Sequence, residues 1–299
     1  MCEKLVGFLK NYWLYFFVFA VASLLRFVPE LFSSIYPAGC DIPFYIFEVR
    51  LMEAGFSFDQ LYFANPPLAH LVLLFVRGVS GLDWFVVFKF SVPLLNGFVA
   101  VSFLYFLRNG LDLNWRIHEY LVCVLLLVFS SAGIIMSNGL VKQMLALVFF
   151  FLFWVYFKRD NMNGQVVCVV LVALSHLMII FLLCVLLLLS FVYDAIKNRT
   201  IKRSNLLLCS LSVVIVAVVC FLFPSLSSGN PLDEIFSQLG AYLNLTSYGF
   251  AFSDVPIIEK IFFHFEYYFG WWYGILIFAF SFCYKKHRWV NFMLLSLFY

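Results

Sequence analysis

Between Ser33 and His70 the chain reads SSIYPAGCDIPFYIFEVRLMEAGFSFDQLYFANPPLAH, a stretch holding Asp41, Glu48, Arg50, Glu53 and Asp59. Asp41 follows Gly39-Cys40 and precedes Pro43. A carboxylate at such a loop-to-helix junction could take a proton from an acceptor hydroxyl. It could equally ligate a divalent cation, Mg or Mn. The plain alternative is a helix cap. Glu48 lies two helical turns on, on the same face, as a second carboxylate of the site or part of a solvated acidic face. Arg50 and Arg77 could each grip a phosphate in bidentate fashion. Snorkelling from an interfacial helix is the alternative, and for Arg77 the preferred one. Lys142, with Asn138 and Gln143, opens a later apolar run. An ionisable residue there is either functional or a snorkelling lysine. His176, beside Ser175, interrupts another apolar run. It could hold a phosphate or relay a proton, or merely cap a turn.

Soluble catalytic motifs are missing from the sequence: no Gly-rich phosphate loop, no CxxC pair, no HExxH, no GxSxG. The basic residues flank apolar segments and form no nucleic-acid footprint.

The elements that must position these residues are membrane helices. The chain is 65% hydrophobic, 21% aromatic and 12% charged, against about 25% charged in soluble domains. Apolar runs of about 20 residues recur, the length that spans the hydrocarbon core as a helix. The expected fold is therefore all-α: a polytopic transmembrane bundle, with an outer loop bearing interfacial helices. The eight cysteines sit almost all in or beside apolar runs and read as packing residues, not a disulfide framework.

Lys4 and Lys10 place the N-terminus in the cytoplasm by the positive-inside rule. Residues 1–299 then form a single membrane domain. Residues 11–29 are the first, retained span, and 30–80 an outer loop with juxtamembrane helices. Within that loop the pattern predicts a helix over 42–54, opened by Pro43 and ended by Gly55. Phe44, Phe47 and Leu51 share one face of it and Asp41, Tyr45 and Glu48 another, as in a helix lying on the membrane surface. The apolar stretch 67–80 dips in or lies flat, which keeps Arg108 and Lys158-Arg159 on the inner side. A helical core follows over 84–223, with spans at 84–107, 119–136 and 140–157. Residues 165–193 suit a hairpin of two short helices turning near Ser175-His176. Residues 224–266 form a second outer loop. Residues 267–299 hold terminal spans, the last incomplete, so the chain reads as a fragment of a longer architecture or one with a partial last helix. Asn244-Leu-Thr is a weak outer glycosylation match.

The order of GCDIPFYIFEVRLMEAGF, NPPLAHLVLLFV, SNGLVKQMLALVFFFLFWVYF and ALSHLMIIFLLCVLLLL resembles the GT-C superfamily of polytopic membrane glycosyltransferases. The likeness covers about residues 12–189. Members carry a loop acid ahead of an aromatic-rich helix, a Pro-Pro-Leu, an apolar span after a polar N-x-x-(K/R) step, and a His in a short hairpin. The resemblance implies transfer of a hexose or pentose from a polyprenyl-phosphate or polyprenyl-diphosphate donor at the outer face of a cell membrane. The acceptor would be a glycan, lipid or protein. Asp41 would be base or metal ligand, and Arg50, Lys142 and His176 would face the lipid phosphate. Family members are usually longer and often add a soluble C-terminal domain. A second reading is a polysaccharide polymerase or ligase of the O-antigen type, against which the arginine-poor outer loops speak. A third is a transporter or structural membrane subunit, which should show repeated halves or mid-bilayer breaks. Lys89, Pro93 and Gly97 are the few such positions.

Overall fold

The computed structural model describes residues 2–39, 41–57, 61, 66–111, 115–129, 141–198, 210–215 and 217–218. Among them the chain is all-helical, with no strand. Eight helices stand out among the described residues: α1 (Cys2–Phe32), α2 (Ile42–Glu53), α3 (Leu68–Ser80), α4 (Trp84–Asn109), α5 (Ile117–Phe129), α6 (Val141–Lys158), α7 (Met162–Ser175) and α8 (Leu177–Asn198). Among the described residues three apolar helical segments are long enough to cross a membrane: Tyr12–Phe32, Trp84–Asn109 and Val141–Lys158. The fold is thus a helical membrane bundle. Of the expected helical core 84–223, residues 130–140 and most of 199–223 lie outside the described residues. The loop 224–266, the terminal spans 267–299 and Asn244 lie wholly outside them.

The centre of the bundle is α4. It packs along α1, α5 and α6, and α6 packs along α7. Helices α1 and α4 run antiparallel, and small and polar residues draw them together. Asn96 Nδ2 donates to the Ala22 carbonyl at 3.0 Å. A Cβ placed on Gly97 would stand 2.8 Å from the Phe19 ring and against Ser23 Oγ. Without a hydrophobic drive between helices in lipid, such close backbone approach is what dispersion attraction requires. Aromatics fill the space between α4 and α6, with Phe103 and Phe106 packed on Phe151.

Charged side chains sort to the two ends. At one end Arg108 lies over Tyr15 and Tyr120. There too Arg159 lies over Tyr105 and donates to Asn109 Oδ1 at 3.3 Å. Arg108 and Arg159 therefore share an end. The opposite end carries α2, α3, the start of α4 and the start of α6.

Local signals explain most element bounds. Asp83 Oδ1 accepts from Phe85 N at 2.9 Å and so caps α4. Gly81, at φ 66°, takes the left-handed turn that ends α3. Helix α3 has 13 residues, about 20 Å at 1.5 Å per residue, too short to cross. Two elements run longer than expected. Helix α1 passes through Pro29 to Phe32, although a proline there lacks the N–H that would bond the carbonyl four residues back. The second arm after His176 has 22 residues, not a short half-helix, whereas α7 has 14.

Candidate functional site

The end of the bundle opposite Arg108 gathers polar side chains from four elements. Helix α2 begins after Asp41, whose carbonyl accepts from Phe44 N at 3.1 Å and Tyr45 N at 3.2 Å. The Asp41 side chain makes no capping hydrogen bond. It is half-buried, and burial holds its carboxyl above the usual carboxylate range. The capping alternative for this side chain is therefore not what the geometry contains.

Helix α2 does not present its acidic face to water. Its inward face is Ile42, Tyr45, Ile46, Glu48 and Val49, all buried. Phe44 and Phe47 point outward, 52% and 62% exposed. A bundle in lipid keeps polar groups inside and offers phenylalanine to the acyl chains, the reverse of a soluble amphipathic helix. Glu48 is 3% exposed, and its Oε2 lies 3.1 Å from Nε2 of His70, which is fully buried in the first turn of α3. The Tyr45 ring stands 5.4 Å from the His70 ring.

The Tyr45 hydroxyl also faces the backbone of Lys142, in the first described turn of α6. The Lys142 side chain is 7% exposed, which is not the posture of a snorkelling lysine. Its charge acts on both His70 and His176. His176 is a one-residue extended break, φ −160° and ψ 121°, between α7 and α8. Its N–H donates to the Val172 carbonyl at 2.9 Å, and its own carbonyl accepts from Ile180 N at 3.2 Å. The backbone of His176 thus ends one helix and starts the next. Its Nδ1 is buried with no hydrogen-bond partner among the described residues.

The structure therefore brings Asp41, Glu48, Lys142 and His176 to one end around Tyr45 and His70. It does not bring Arg50. That side chain is exposed, with its guanidinium 5.3 Å above the Phe85 ring. Arg77 is occupied structurally: it lies 3.7 Å from Glu53 and over Trp84, whose Nε1 donates to Glu53 Oε2 at 2.7 Å. These contacts clamp α2, α3 and α4 at their junction. Among the described residues no group of three His, Cys, Asp or Glu could hold a metal ion.

A second polar network, which sequence reasoning passed over, fixes the approach to Asp41. Arg26 Nη1 donates to Glu30 Oε1 at 2.8 Å, with both side chains buried. Arg26 Nη2 donates to the Ala38 carbonyl at 2.5 Å, and Ala38 N donates to Glu30 Oε2 at 2.9 Å. Lys89 Nζ donates to the Glu30 carbonyl at 2.9 Å and to that of Ser34. The turn before Asp41 is thus tied to both α1 and α4. The i, i+4 spacing of Arg26 and Glu30 was the available signal. For His70 it was a lone imidazole at the head of an apolar run.

Taken together, fold and site define a helical membrane protein with a buried polar cluster at one end of its bundle. No protein-family model, no curated protein and no solved structure matches the chain.

Proposed function

We propose that the protein is a membrane glycosyltransferase that moves a sugar from a polyprenyl-phosphate donor to an acceptor hydroxyl at the outer face of a cell membrane. The observation that carries this reading is the company of Asp41. Its uncapped, half-buried carboxylate shares one bundle end with Lys142 and His176. In the proposed reaction Asp41 accepts the proton of the acceptor hydroxyl as that oxygen bonds the anomeric carbon. The bond from that carbon to the phosphate oxygen breaks, and the lipid phosphate leaves with the bonding pair. A carboxyl held above its usual range is a better base than an exposed one. Lys142 and His176 supply the cationic and hydrogen-bonding groups that the departing phosphate needs. The end bearing Arg108 and Arg159 is cytoplasmic in this reading, following the positive-inside rule, and the cluster then opens outward.

The test is transfer by purified protein in lipid nanodiscs, supplied with labelled polyprenyl-phosphate sugars and candidate acceptors. Wild type should transfer, and Asp41→Asn should lose at least about a hundredfold, the range of a general base. Equal rates for the two proteins would remove Asp41 from the mechanism. No transfer by wild type from any donor would remove the glycosyltransferase reading.

A further inference from the structure

We propose that His70 is a positioning residue: through its contact with Glu48 it fixes α2 against the bundle and so sets where the Asp41 carboxylate stands. The inference rests on the glycosyl-transfer reading for its catalytic consequence, though not for its geometry.

The contact is costly. His70 is fully buried and Glu48 nearly so, and burying an acid and an imidazole carries a desolvation penalty that well-packed apolar residues would avoid. His70 Nδ1 adds to that cost, being buried with no partner among the described residues. Such a contact earns its place by specifying one arrangement of α2. Apolar packing alone defines that arrangement weakly, because both faces of α2 are largely apolar, with Ile42, Tyr45, Ile46 and Val49 inward and Phe44 and Phe47 outward. Two polar contacts remove this freedom. Glu48 meets α3 at His70, and Tyr45 meets α6 at the Lys142 backbone. Asp41 is joined to them through the backbone of α2. Its carbonyl is bonded into the first turn of α2, and Tyr45 and Glu48 follow on the same face. A displacement of α2 therefore displaces the carboxylate, and an error of about 1 Å in a reacting group can cost a hundredfold. Around the pair stand Tyr45 from α2, Lys142 from α6, and His176 at the break between α7 and α8, the latter coupled through the Lys142 charge.

The experiment compares the full chain with Glu48→Gln, Glu48→Leu, His70→Leu and the Glu48→Leu/His70→Leu double variant, each normalised to folded protein. Glutamine keeps the shape and a polar oxygen facing His70 Nε2 and should keep kcat within about threefold. Both leucine variants should lose about tenfold to a hundredfold in kcat, with the donor KM within about twofold. The double variant should be no worse than either single one, because the pair acts as a unit. If the leucine variants fail to fold, His70→Gln carries the test, with a partial kcat loss and unchanged KM expected. A second readout needs no transferase activity. In a Cys40→Ser background, Asp41→Cys is labelled with a charged maleimide, and His70→Leu should change the labelling rate severalfold. An unchanged labelling rate overturns the positioning role. So does a Glu48→Gln protein as slow as Glu48→Leu, or a donor KM that rises while kcat holds; these would put the Glu48 carboxylate on the substrate. A wild type without transfer sinks the function alone, and the labelling rate still decides the positioning.

Discussion

Removing Glu30 should destabilise the protein by about 3 kcal/mol, and removing Arg26 as well should restore most of the loss. The Glu30 carboxylate accepts from Arg26 Nη1 at 2.8 Å and from Ala38 N at 2.9 Å, with both charged side chains buried. In Glu30→Leu the guanidinium stays buried without its counter-ion. Breaking a buried pair from one side costs about 3–5 kcal/mol. The Ala38 carbonyl, 2.5 Å from Arg26 Nη2, still accepts from it, which argues for the lower end. About 3 kcal/mol is roughly a hundredfold in the folding equilibrium. In Arg26→Met/Glu30→Leu no charge is stranded, and apolar replacements of buried pairs are often neutral. The double variant should therefore come within about 1 kcal/mol of wild type, the remainder being the lost bonds to Ala38. Unfolding in mixed detergent, followed by thiol-dye reaction at the buried Cys168, measures all three proteins. A Glu30→Leu protein within about 0.5 kcal/mol of wild type would refute the claim that the pair is buried and coupled. A double variant as unstable as Glu30→Leu would refute the argument from the stranded charge.

Other outcomes follow from neighbouring contacts. Gly97→Ala should cost about 1–3 kcal/mol by overpacking α1 against α4, since its Cβ would press on Phe19 and Ser23. Gly78→Ala, which meets nothing within 4 Å, should be neutral or slightly stabilising in the same unfolding assay. Trp84→Phe should lose about 1 kcal/mol, the Nε1 bond to the part-exposed Glu53, measured likewise. Asp41, with its carboxyl raised by burial, should give transfer an acid limb above the ordinary carboxylate pKa of about 3.9. Activity rises as pH climbs through that raised pKa and the base deprotonates, and a pH–rate profile showing the limb below 3.9 would contradict it. The stability contribution of the same group runs oppositely. A carboxyl raised on folding favours the folded state at low pH, and that advantage fades as pH passes the raised value.

Much of the architecture was legible in one dimension. Pro43 and Gly55 bracketed α2, the apolar run placed α4 from residue 84, and the single His176 marked the break between α7 and α8. The charge pattern also grouped Arg108 with Arg159, which the bundle places at one end. Rotation about the helix axis was not legible. The alternation in α2 was sound, but which stripe faces inward depends on the solvent outside, and lipid reverses the rule learned from water. Long-range partners were equally hidden. Nothing in the local sequence of α3 says that His70 meets Glu48, because the contact is made by the packing of α2 on α3. Arg50 failed to join the cluster for a geometrical reason: it lies half a helical turn away from Glu48, and its neighbour is Phe85 on α4.

Helix α1 carries its own counter-ion. Arg26 and Glu30 are one turn apart on the same helix, so they can neutralise each other as soon as that turn forms, before α4 has been synthesised. A nascent segment with a lone arginine would face the bilayer with a full uncompensated charge. Here the first helix can enter lipid early as a nearly neutral rod. It then waits for Lys89 and Asn96 to arrive on α4 and lock it in place.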